Sequence, residues 1–123
     1  MSRSILLRLG LAIWLVLVMA VSISPLSFKL RLHTTGVYHN IGHYVVYVIT
    51  GILFWLITKS AYGKVFAFVL GVALAFGQEW IENKMYHAGF EWKDVGTDLA
   101  GLVSGFALML LVMALADDPG HRT

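Results

Sequence analysis

Long apolar windows separated by short polar breaks set the pattern of this chain. The first runs from Ile5 to Ile23, with Arg8 near its start and Pro25 just beyond its end. The second covers 41–58 and is stopped by Lys59, and the third covers 65–81, following Lys64. The fourth covers 95–116 and gives way to Asp117, Asp118 and Pro119. At 1.5 Å of rise per residue each window spans roughly 25–33 Å, close to the hydrocarbon thickness of a bilayer. Backbone groups in lipid must be satisfied within their own segment, so windows of this length predict helices. The expectation is one all-α domain over residues 1–123, an integral membrane bundle of four transmembrane helices. The first window has the basic start of a signal peptide, and Ala20 and Ser22 would suit cleavage. Its apolar stretch exceeds the usual signal core of about 7–15 residues, which favours a retained span.

Composition agrees. Of 123 residues, 59% are hydrophobic and 13% charged, against about 25% charged in soluble domains. Mean hydropathy is +0.77 and the sequence pI about 9.0. The basic balance does not indicate nucleic acid, because the nine Lys and Arg residues are scattered and flank the apolar segments. With no Cys in the chain, disulfides, thiolate metal sites and Cys nucleophiles are excluded. Four spans put both termini on one side. The short basic loop between Lys59 and Lys64 and the basic N-terminus favour the cytoplasm for that side.

On this topology the start of the second helix, the end of the third and the start of the fourth share one membrane face. His39, His43 and Tyr47 recur every four residues on the second helix, and Thr50, Gly51 and Phe54 continue the stripe. Gly71 and Ala75 lead on to Gln78, Glu79 and Glu82 on the third. Asp94, Asp98, Gly101 and Gly105 open the fourth at intervals of four, three and four. Each helix thus carries polar groups near the face and small residues deeper, the pattern of a bundle interior. His43, Tyr47, Gln78, Glu79, Glu82, Asp94 and Asp98 form the candidate ligand site. His87, Trp92 and Lys93 are expected to contribute from the loop between Glu82 and Asp94. An ordinary alternative has the acids reach water or pair with Lys84, Lys93 and His43, with Asp94 serving as a helix cap.

His43, Glu79 and Asp98 are the candidate catalytic groups, with His43 suited to act as base or proton carrier. His39 with those three offers metal-ligand chemistry, but the spacing matches no zinc signature and neither a metal nor a cofactor is assigned. Asp98 sits one turn, about 6 Å, deeper than Asp94 at the boundary, and Glu79 about 3 Å inside the end of its span, which describes a shallow site.

These motifs resemble the VanZ-like family of small bacterial membrane proteins. The resemblance rests on His43-x-x-x-Tyr47, on the segment Gln78-Glu79-Trp80-Ile81-Glu82, and on Asp94-x-x-x-Asp98-x-x-Gly101. It covers roughly residues 39–110. Gln78 stands where the family usually has Asp, Glu82 where it has Gln, and Asp98 where it has Asn. Ala88-Gly89-Phe90 replaces a loop that often carries Arg followed by Ser. The resemblance implies a multi-pass protein of the bacterial cytoplasmic membrane, of the type linked to resistance to the glycopeptide teicoplanin. The three helix ends that gather ionisable groups at one face suggest, beside the bilayer, a lipid-linked or headgroup-like ligand, and the small interior of such a bundle suggests a homo-oligomer or another membrane protein as a further partner. An intramembrane His/acid enzyme is the first alternative, although no nucleophile motif accompanies it. A small proton-coupled exporter is the second, against which residues 5–23 contain no acid.

Overall fold

A computed structural model describes residues 2–22, 37–86 and 91–117, and of residues 22, 37–39 and 86 the backbone alone. Among the described residues the chain is all-α: α1 (Arg3–Ser22), α2 (Val37–Ile57), α3 (Ala61–Tyr86) and α4 (Trp92–Ala116). All four are long and apolar enough to cross a membrane. The bundle is inverted relative to a water-soluble one. Large apolar side chains such as Ile13, Val16, Val69 and Leu110 face outward, while Thr50, Gln78, Glu79, Asp94 and Asp98 are buried. Lipid solvates the first set without cost, so the interior is left to close packing and polar contact.

The α2–α3 connection is short because its residues satisfy the free helix ends. Ser60 Oγ accepts the Gly63 N–H at 3.0 Å, a side-chain N-cap for α3. Lys64 reaches back from α3, and its ammonium donates to the Trp55 and Thr58 carbonyls at 3.0 and 2.6 Å. It also lies 4.2 Å from the centroid of the Trp55 ring. One cation thereby satisfies the last carbonyls of α2 and complements the negative end of its dipole. Phe106 packs edge-on against Trp55 and Phe68, with ring centroids 5.8 and 5.3 Å apart, closing this end of the bundle with apolar material.

The closest packing is between α2 and α4, which run parallel. Gly101 lies on the backbone of Tyr44 and Val48, and Gly105 on that of Val48, Gly51 and Ile52. A Cβ on Gly51 would lie 2.8 Å from the Leu102 carbonyl oxygen. The Leu102 side chain, fully buried, fills the notch over Gly71 of α3. The α2, α3 and α4 axes meet through this layer of glycines and one leucine. Helix α1 lies outside it, joining the core cluster through Leu11 and α2 through the Trp14 indole N–H, which donates to Thr50 Oγ1 at 2.9 Å.

The helices run past the apolar windows at the polar end. Helix α3 continues to Tyr86 and α4 already begins at Trp92. Thus Glu82 and Lys84 at one end, and Trp92 and Lys93 at the other, are helical rather than loop residues. Hydrophobicity marks where lipid ends. A helix continues for as long as its backbone bonds are made, and polar residues permit that in the headgroup region.

Replacing Gly105 with Ala should destabilise the protein by about 1–3 kcal/mol or more, because the new methyl meets a carbonyl that cannot move without the whole helix. A methyl added at Gly10 would meet nothing within 4 Å, so Gly10→Ala should be neutral or stabilising by up to about 1 kcal/mol. Thermal unfolding in detergent, followed by circular dichroism, compares the two; equal effects would remove the close α2–α4 crossing.

Candidate functional site

The register set by Gly101 and Gly105 places the polar ends of three helices against one another. His43 Nδ1 is 2.6 Å from Asp98 Oδ1, across the α2–α4 interface. With the Asp98 carboxylate ionised it only accepts, and the ring then donates to it from Nδ1. The ring's other nitrogen, Nε2, is then its basic atom in the neutral form. The His43 side chain is 13% exposed and that of Asp98 2%. The dyad is therefore an interior feature with the imidazole on its wetter side.

Tyr47 and Gln78 form a second link. The fully buried Tyr47 hydroxyl donates to Gln78 Oε1 at 2.6 Å, joining α2 to α3. Glu79 makes the third. Its Oε1 accepts the backbone N–H of Glu91 at 2.9 Å, at the residue that precedes the first turn of α4. The Glu91 side chain makes no capping bond of its own. A carboxylate from α3 thus does for this N-terminus what a local cap would otherwise do. Asp94 is buried in the first turn of α4, where a negative charge is favoured by the helix dipole. It is not the cap expected from the sequence, since α4 starts two residues before it.

The layers are ordered along the bundle. Asp94 lies nearest the start of α4, and Glu82, half-buried, lies nearer the end of α3 than the buried Glu79 on the same face. The His43–Asp98 pair lies about one helical turn, or about 6 Å, deeper than Asp94. Measured from the helix ends, Asp98 and His43 are about 9 Å in and Glu79 about 10 Å. The site is thus more deeply seated in its helices than the apolar windows implied, because the helices extend beyond those windows. Among the described residues every buried side-chain nitrogen and oxygen has a hydrogen-bond partner. Polar groups between apolar helices are costly unless paired, and here they are paired across three different helices.

The structure therefore brings His43, Tyr47, Gln78, Glu79, Asp94 and Asp98 to one end of the interior. Trp92 and Lys93 of the expected loop are exposed on α4, and the side chain of His39 and all of His87 lie outside the described residues. Among the described residues no three His, Asp or Glu side chains converge closely enough to hold a metal ion. The links not read from the sequence include the Trp14–Thr50 bond, the Tyr44–Ser104 and Tyr47–Gln78 bonds, and the backbone role of Glu79. Thr50 was visible on the α2 stripe, but its partner depends on the angle at which α1 crosses.

No family model, curated protein or solved structure matches the chain.

The dyad has a measurable coupling. His43→Ala and Asp98→Ala should each destabilise the protein, and the double variant should cost less than their sum by about 0.6–1.7 kcal/mol, the range of hydrogen bonds within membrane bundles. Unfolding of all four proteins in mixed micelles of rising dodecyl sulfate checks this. Strict additivity would mean the two groups do not interact.

Proposed function

We propose that this chain is a VanZ-like envelope protein of the bacterial inner membrane, with both termini in the cytoplasm. In this reading the polar cluster of α2, α3 and α4 engages a lipid-linked or headgroup-like ligand. The His43–Asp98 contact carries the proposal. Packing alone needs no charged pair, since small and apolar residues join membrane helices at lower cost. An ionisable residue held inside such a bundle marks a functional site by default. The same cluster draws on all three motifs on which the family resemblance rests, through His43 and Tyr47, Gln78 and Glu79, and Asp94 and Asp98. A contribution to teicoplanin-type resistance follows from that resemblance, through binding of an envelope precursor rather than its chemical conversion.

The dyad itself favours a second reading, an intramembrane enzyme. Held through Nδ1 by Asp98, the His43 ring is oriented as a general base would be, with Nε2 left as its other nitrogen. The chain has no Cys, so the base would act on a water or on a substrate hydroxyl. The exporter reading gains nothing from the fold, since α1 carries no Asp or Glu.

Labelling of the purified protein by a photoreactive phospholipid separates these ideas. In the binding reading Glu79→Gln, Asp94→Asn and Asp98→Asn should each lower labelling by roughly tenfold, the scale of one charge-assisted hydrogen bond. Unchanged labelling, together with unchanged teicoplanin susceptibility of cells carrying these variants, would refute it. Turnover of a labelled lipid precursor that falls by about 10²–10⁴ in His43→Ala would instead establish the enzyme.

A further inference from the structure

The start of α4 is held from outside its own segment. A helix opens with backbone N–H groups that have no acceptor in a preceding turn, and a neighbouring Ser, Thr, Asp or Asn side chain commonly takes one of them. Here the Glu91 side chain makes no such bond, and the Asp94 and Val95 N–H groups both donate to the Glu91 carbonyl, at 3.1 and 3.4 Å. Glu91 is in turn fixed by its own N–H, which donates at 2.9 Å to Glu79 Oε1 on α3. The same two segments meet where the Trp92 ring packs edge-on against Phe76, one turn before Glu79, with centroids 5.9 Å apart. The junction therefore has an apolar half without a titratable group and a polar half that rests on one carboxylate.

That carboxylate is 4% exposed and stands among other acids. From α4, Asp94 and Glu91 act on it as like charges, and from α2 His43 acts as an opposite charge when protonated. Glu82 lies three residues further along α3 itself. The charged residues of α1, Arg3 and Arg8, stand in its first two turns at the other end of the bundle. Ionised, Glu79 makes a charge-assisted bond to the Glu91 N–H and faces the positive end of the α4 dipole. Protonated, it keeps only the weaker bond of a neutral carbonyl. Losing the repulsion from Asp94 and Glu91 relaxes side chains, whereas losing the charge on the bond frees the backbone of α4. We propose that Glu79 is a proton-operated latch: ionised, it holds the start of α4 against α3, and on taking up a proton it lets the first turn of α4 loosen. The acids of the cluster lie in what is loosened, with Asp94 in that turn and Asp98 in the next. The Phe76–Trp92 contact persists, so the opening stays local. None of this depends on what the cluster binds.

The test follows amide hydrogen exchange by NMR in the full chain, isotope-labelled and held in detergent micelles. It runs between about pH 8 and about pH 4, a range that brackets carboxyl titration. After correction for the intrinsic pH dependence of exchange, protection at Glu91, Asp94 and Val95 should fall about tenfold toward acid, the margin of a charge-assisted over a neutral hydrogen bond. The Glu79 carboxyl carbon should titrate with the same midpoint. Glu79→Gln should show the low protection at every pH, and Glu82→Gln should keep the step. Amides from Gly101 to Gly105 should stay unchanged throughout. The latch is overturned by an absent step in the unmodified chain, by protection that rises toward acid, or by a midpoint that differs from that of Glu79. A step that survives Glu79→Gln overturns it too, as does a loss that extends evenly to Gly105, which is general acid unfolding. If Glu79→Gln does not fold, the two midpoints in the unmodified chain decide alone.

Discussion

Backbone contact between α2 and α4 governs this structure. In lipid there is no hydrophobic force to press helices together, so association depends on how closely their surfaces approach. Gly51, Gly101 and Gly105 remove the side chains that would hold the axes apart, and the two backbones touch. Such proximity permits weak Cα–H···O contacts and strengthens dispersion over a long stretch of helix. It also fixes register. A glycine pair offers few alternative seats to the opposing backbone, and every polar contact nearer the helix ends inherits that alignment. Asp98 meets His43 because Gly101, three residues on, meets Tyr44 and Val48.

The two ends of the bundle are built from different materials. At one, Lys64 holds the last carbonyls of α2 and lies over Trp55, whose ring packs on Phe106. That end is closed by an aromatic cluster and a single cation. At the other, carboxylates, an imidazole, a phenol and an amide link α2, α3 and α4. Both solutions satisfy the backbone and side-chain groups around them. The first does so with local residues of the α2–α3 turn. The second recruits side chains from separate helices, among them the Glu79 carboxylate that holds the start of α4. Three hydrogen bonds thus join α2 to α4, α2 to α3 and α3 to α4 at this end.

The same arrangement explains why α1 matters less to the site. It meets the others through Leu11 and the Trp14–Thr50 bond, and most of its apolar surface faces outward. Thr50 also donates to the Val46 carbonyl within α2, so its hydroxyl both accepts from α1 and donates within its own helix. The family resemblance in the sequence likewise lies in the helices that follow α1.

The class of the protein was legible in the order of its residues. Four windows of the right length, with almost no charge inside them, leave no other fold in a bilayer. The interior faces were legible too: the stripes Tyr47–Thr50–Phe54, Gly71–Ala75–Gln78 and Asp98–Gly101–Gly105 are all buried, because small and polar residues at helical spacing have no reason to face lipid. Pairing was settled only by assembly. Which polar group meets which depends on crossing angles and register, and neither is encoded in the periodicity of a single helix. Hence the choice of His43 for Asp98, Gln78 for Tyr47 and the Glu91 backbone for Glu79 emerges only when the helices come together. Helix length was the other matter left to structure. Hydropathy reports where lipid contact ends, whereas a helix ends where its backbone bonds do, and at the polar ends of α2 and α3 the two lie more than a turn apart.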